Sequence, residues 1–127
     1  KVKACLRATR ESFKGKKIIF VWQPHSFERT YSFKEQFGNS LGDADIVYLP
    51  NIFTPSREEN RYKELISEKE FVDFLKSKYP EKEILYTKNF DETSSLLLNE
   101  AYNQEYVCIL ASAGDLYKIL PSLNLNK

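Results

Sequence analysis

The sequence predicts an α/β protein with a mostly parallel sheet and helices on both faces. Two observations carry this reading. Helical and strand patterns alternate strictly along the chain, and the main strands are short, unbroken apolar runs. Strict alternation means βαβ units, and unbroken apolar runs mean strands covered on both sides. At 127 residues, positions 1–127 are read as a single domain, long enough for a real core.

The central stretch is Lys17–Thr30, KIIFVWQPHSFERT. Ile18 to Trp22 is a core strand, and it runs directly into Gln23-Pro24-His25. Before it, Val2, Cys5, Leu6 and Phe13 mark one face of a helix ending near Gly15. After it, Tyr31, Phe33, Phe37 and Leu41 predict one helix from about Thr30 to Leu41, with Thr30 or a Ser32–Glu35 box as its cap. Ala44 to Leu49 is the second strand, closed by Pro50. Residues 51–66 read as a long surface loop with a charged stretch at Arg57–Arg61. Ser67 and Glu70 form a capping box for a third long helix carrying Phe71, Phe74 and Leu75, which ends at Tyr79-Pro80. Glu83 to Thr87 is a short strand, and Phe90, Leu97, Leu98 and Ala101 define the next helix. Glu105 to Ala111 is expected to be a fully buried strand, followed by a turn at Ser112–Asp115 and a short helix with Leu116, Ile119 and Leu120.

The chain begins without methionine and inside a helical pattern, so a fragment of a longer protein is expected, with a strand just upstream. A net charge of +1 argues against a nucleic-acid or membrane footprint. No apolar run approaches the roughly 20 residues of a membrane helix. Cys5 and Cys108 have no metal-type spacing and are expected to be small buried hydrophobes in a reducing compartment.

Two strand ends carry candidate chemistry. In the first, His25 is able to donate or accept near neutral pH, and Arg29 suits a two-bond grip on a carboxylate or phosphate. Arg29 is expected at a helix start, where the backbone also favours an anion. The same residues also suit a structural histidine and a solvated arginine. In the second, Ser112, Ala113, Gly114 and Asp115 form a small-residue turn that lets a ligand approach the backbone, or simply a tight turn with Asp115 as a helix cap. The sequence has no glycine-rich phosphate loop, no dinucleotide fingerprint and no nucleophile elbow, and its single histidine excludes a His-rich metal site. No metal site is expected in this chain.

At this point the residues resemble the Mur ligases. The strand followed by Gln23, Pro24, His25, Phe27, Arg29 and Thr30 is similar to the family's Gln-Pro-His-x-(Tyr/Phe)-x-Arg-Thr segment. Asp45–Leu49, then Asn51-Ile52-Phe53 and Ser56-Arg57-Glu58, are similar to a second family segment, with Asn51 in place of aspartate. Ala111–Asp115 is similar to a Gly-Ala-Gly-Asp turn, with Ser112 in place of the first glycine. Ser26 stands where many members carry arginine, which leaves Arg29 as the positive charge of the clamp.

The resemblance implies a Rossmann-like three-layer sandwich that forms the C-terminal, amino-acid-side domain of a cytoplasmic three-domain ligase. It implies UDP-N-acetylmuramate and L-alanine as substrates, with ATP and Mg2+ bound mainly outside this domain, by a central ATPase domain. In that chemistry ATP activates the muramate carboxylate and the alanine amine then attacks it. His25, Arg29, Ser112, Ala113, Gly114 and Asp115 would flank the incoming amino acid. The fragment alone is not expected to be active. The alternatives are a ligase that reattaches recycled murein peptide, and a stand-alone α/β ligand-binding module.

Overall fold

The computed structural model describes residues 2–54, 64–100, 105–112 and 116. Its elements are α1 (Val2–Ser12), β1 (Lys17–Gln23), α2 (Phe27–Ser32), α3 (Lys34–Asn39), β2 (Ile46–Leu49), α4 (Glu68–Lys78), β3 (Glu83–Tyr86), α5 (Phe90–Glu100) and β4 (Tyr106–Ser112). The four strands are all parallel, in the order β3-β2-β1-β4. The expected α/β architecture is therefore present.

β1 holds the centre because its side chains leave alternately to two apolar layers. Ile18, Phe20 and Trp22 enter one layer with Leu6 of α1, Phe27 of α2 and Phe71, Val72 and Leu75 of α4. Ile19 and Val21 enter the other with Leu97 of α5 and Leu116. Trp22 locks the first layer, its ring edge-on to Phe37 at 4.9 Å and to Phe71 at 5.7 Å. The amino ends of β1 and β2 are fixed by Asp45. One carboxylate oxygen accepts from the Ile18 N–H and from Arg10 Nη2, each at 2.8 Å.

The capping box at Ser67 and Glu70 is formed as expected, with both reciprocal hydrogen bonds present. The single helix expected over Thr30–Leu41 is instead two short helices broken at Phe33, where φ is −113° and ψ 18°. Ser26 starts the first of them, ahead of both anticipated caps, and Thr30 is buried inside it. The break turns Tyr31 and Phe33 outward, while Phe37 and Leu41 stay with the core. β2 begins at Ile46, because Asp45 serves as the anchor described above.

β4 departs from its expected full burial: every residue in it is at least partly exposed. It is an edge strand of the described sheet and has only β1 beside it there. Both cysteines are exposed rather than buried, Cys5 on α1 and Cys108 on β4. Cys108 is exposed by surface area, yet desolvation of its thiol pushes it from 9.0 up to about 11. Iodoacetamide at pH 8 should therefore label Cys5 well before Cys108, as read by peptide mass spectrometry. Equal labelling would contradict the shift. The thiol holds its proton more tightly folded than unfolded, so its contribution is intact below pH 9 and lost as pH rises through about 11. Tyr86 adds in the same direction, raised by burial and then by Glu68 and Glu92. Thermal stability should fall across that alkaline range.

Candidate functional site

The chain runs β1, β2, β3 outward across one face, then crosses the other face through α5 and returns to place β4 beside β1. The strand order reverses between β1 and β4. In open parallel sheets the crevice outside the carboxyl ends of the strands at such a reversal is the usual ligand position. The two strands that flank it are the two whose ends the sequence marked. Their pairing ends with Gln23 opposite Ser112.

Gln23 is buried at 1% exposure and sits between two partners. Ser112 Oγ donates to Gln23 Oε1 at 2.6 Å, and Gln23 Nε2 donates to Asn51 Oδ1 at 3.2 Å. The segment after β2 then lies along the segment after β1. Phe53 N–H donates to the Pro24 carbonyl at 2.8 Å, and Ser26 N–H donates to the Phe53 carbonyl at 2.7 Å. The His25 ring packs against Phe53, with centroids 5.4 Å apart. Its Nδ1 is buried and has no hydrogen-bond partner among the described residues. A buried polar atom without a partner is costly, and a ligand at this edge is one way to satisfy it.

Ser26 controls the next turn. Its Oγ accepts from the Arg29 N–H at 3.1 Å, and its carbonyl accepts from Thr30 Oγ1 at 2.7 Å. Arg29 is thus the third residue of α2, exposed, with no ion-pair partner among the described residues. Ser26 already takes the Arg29 N–H, and α2 has only six residues. What Arg29 offers is its guanidinium.

Ser26 reaches this position with φ 63° and ψ 148°, a conformation that costs an L residue on the order of 1–3 kcal/mol. Ser26→Gly should relieve that cost and lose only a few tenths at the cap, a net gain of about 1 kcal/mol. Ser26→Ala keeps the strain and loses the cap, a loss of about 1 kcal/mol. Urea unfolding of the two variants checks this, and an alanine variant more stable than the glycine variant would contradict it.

Of the six predicted site residues, His25, Arg29 and Ser112 fall on this one edge of the sheet, while Ala113, Gly114 and Asp115 lie outside the described residues. So do Ser56, Arg57 and Glu58. The residues passed over in the sequence are Gln23 as a bridge, and Asn51 with Lys88, which line a hollow of about 280 Å³ at the same edge together with Asn89 and Phe90. A larger hollow of about 330 Å³ opens at the opposite edge, lined by Lys17, Asp45, Ile46, Glu81, Glu83 and Tyr106. Its three carboxylates disfavour a carboxylate ligand. Among the described residues no group of three His, Cys, Asp or Glu side chains is placed to hold a metal ion, and no helix is long and apolar enough to cross a membrane.

Fold and site together define a Rossmann-like α/β domain whose polar edge lies at the reversal of strand order. No protein-family model matches the chain. It is 37% identical over 118 residues to a UDP-N-acetylmuramate–L-alanine ligase of Lactiplantibacillus plantarum, covering 92% of this chain and 24% of that protein. It is 32% identical over 118 residues to the ligase of that name from Persephonella marina, covering 93% and 25%. A third, from Leuconostoc mesenteroides, is 47% identical over 58 residues, covering 46% of this chain and 13% of that protein. The chain is a Mur-ligase-like domain, similar to part of UDP-N-acetylmuramate–L-alanine ligases. It spans about a quarter of the length of the curated relatives that match nearly all of it.

Proposed function

We propose that this chain is the amino-acid-side, C-terminal domain of a cytoplasmic ligase that joins L-alanine to UDP-N-acetylmuramate during peptidoglycan precursor synthesis. The observation that carries the proposal is similarity over 92% of the chain to a ligase of that name. The geometry supports it by gathering His25, Arg29 and Ser112 at the carboxyl edge of the sheet, beside the reversal.

A free amino acid brings a carboxylate, and the exposed Arg29 guanidinium suits it through two parallel hydrogen bonds. The unpartnered Nδ1 of His25 supplies a further polar contact beside it. Ser112 at the end of β4 flanks the other side. These contacts orient the amine toward the muramate carboxyl, and such positioning is worth up to ~7–11 kcal/mol in ideal cases. ATP with Mg2+ supplies activation of that carboxyl. The sequence has no phosphate loop, and in this proposal the nucleotide belongs to the central domain of the parent.

The test is phosphate release by the full-length protein with ATP, Mg2+ and UDP-N-acetylmuramate, scanned over the amino acids. The proposal expects release that depends on L-alanine. Release with recycled peptide only would favour the murein peptide ligase reading, and no release with any acceptor would leave an α/β ligand-binding module.

A further inference from the structure

The β1–β4 ladder ends at the Gln23–Ser112 pair. A side chain spans that end. The buried amide of Gln23 takes the Ser112 hydroxyl proton on its oxygen and gives a proton of its own to Asn51. One planar group, with its acceptor and donors in fixed directions, therefore joins the carboxyl ends of β4, β1 and β2. Ser112 is the last residue of β4. Asn51 heads the segment whose Phe53 backbone bonds both Pro24 and Ser26, and Ser26 in turn caps the helix that carries Arg29. A buried amide loses heavily when one partner goes missing, so the spacing it sets is stiff.

We propose, resting on the amino-acid-binding reading above, that Gln23 is a positioning residue for the ligase reaction. Its amide fixes the distance between Ser112 at the end of β4 and the His25–Arg29 turn, and the Ser112 hydroxyl acts on the amino acid through its bond to Gln23.

The full-length protein carrying Gln23→Leu, Ser112→Ala or both tests this through steady-state kinetics. Each single change should raise the L-alanine KM about tenfold, with kcat and the KM values for ATP and UDP-N-acetylmuramate within about threefold. The double variant should stand well below the product of the two single effects, because the residues share the Ser112–Gln23 hydrogen bond. Ser112→Thr keeps the hydroxyl that donates to Gln23 and should remain within about threefold of the unmodified protein. That rescue variant also keeps the test open if Gln23→Leu fails to fold. A double variant near 100-fold would mean independent action and overturn the proposal. So would single variants with an unchanged L-alanine KM, or a threonine variant as impaired as the alanine variant. If the unmodified protein shows no L-alanine-dependent turnover, the functional reading itself falls, and the proposal falls with it.

Discussion

Arg29→Ala in the full-length protein is expected to raise the L-alanine KM about 100-fold and leave the KM values for ATP and UDP-N-acetylmuramate within about threefold. The size follows from a charge-assisted pair of hydrogen bonds worth ~1.5–3 kcal/mol, at about 1.4 kcal/mol per tenfold. Arg29 is exposed and contributes no side chain to the core, so its loss should not unfold the domain. The side chain alone carries the effect, since the Arg29 N–H is already bound to Ser26. Arg29→Lys keeps the charge but loses the planar fork, and should sit between the two. Steady-state kinetics at saturating co-substrates decides it. An unchanged L-alanine requirement would remove Arg29 from the site.

Phe71→Ala is expected to cost ~3–5 kcal/mol of stability, at the upper end of what a single core truncation does. Phe71 is fully buried, packs edge-on to Trp22 at 5.7 Å and stacks on Phe74 at 6.5 Å. It joins α4 to the central strand, so the cavity would open inside the first apolar layer. Small domains hold only about 5–15 kcal/mol in all, and the variant should approach the edge of folding. Urea unfolding gives the number, and a loss below about 1 kcal/mol would contradict the packing.

The parts of the fold that the sequence displayed are those set by local chemistry. β1 is an unbroken apolar run because both its faces are covered, and the Ser67–Glu70 box is a local signal that needs no tertiary context. The parts it hid depend on what lies far away. The break at Phe33 is invisible because apolar steps of four continue across it, and the cap at Ser26 needs a positive φ that a serine does not announce. β4 reads as buried because an apolar edge strand and an apolar central strand have the same composition. The candidate site was legible at Arg29, His25 and Ser112, whose residue types point to chemistry by themselves. Gln23 was not, because a glutamine ending an apolar run looks like the boundary to solvent. Its partners lie 28 and 89 residues away and meet it only through the strand order.

The proposed function requires that the carboxyl edge between β1 and β4 hold the amino acid. A structure of the full-length protein with UDP-N-acetylmuramoyl-L-alanine bound tests this most directly. The alanyl carboxylate is expected on the Arg29 guanidinium at roughly 2.7–3.2 Å, beside the Gln23–Ser112 bridge. A carboxylate held away from Arg29, or at the opposite edge near Lys17, would contradict that placement.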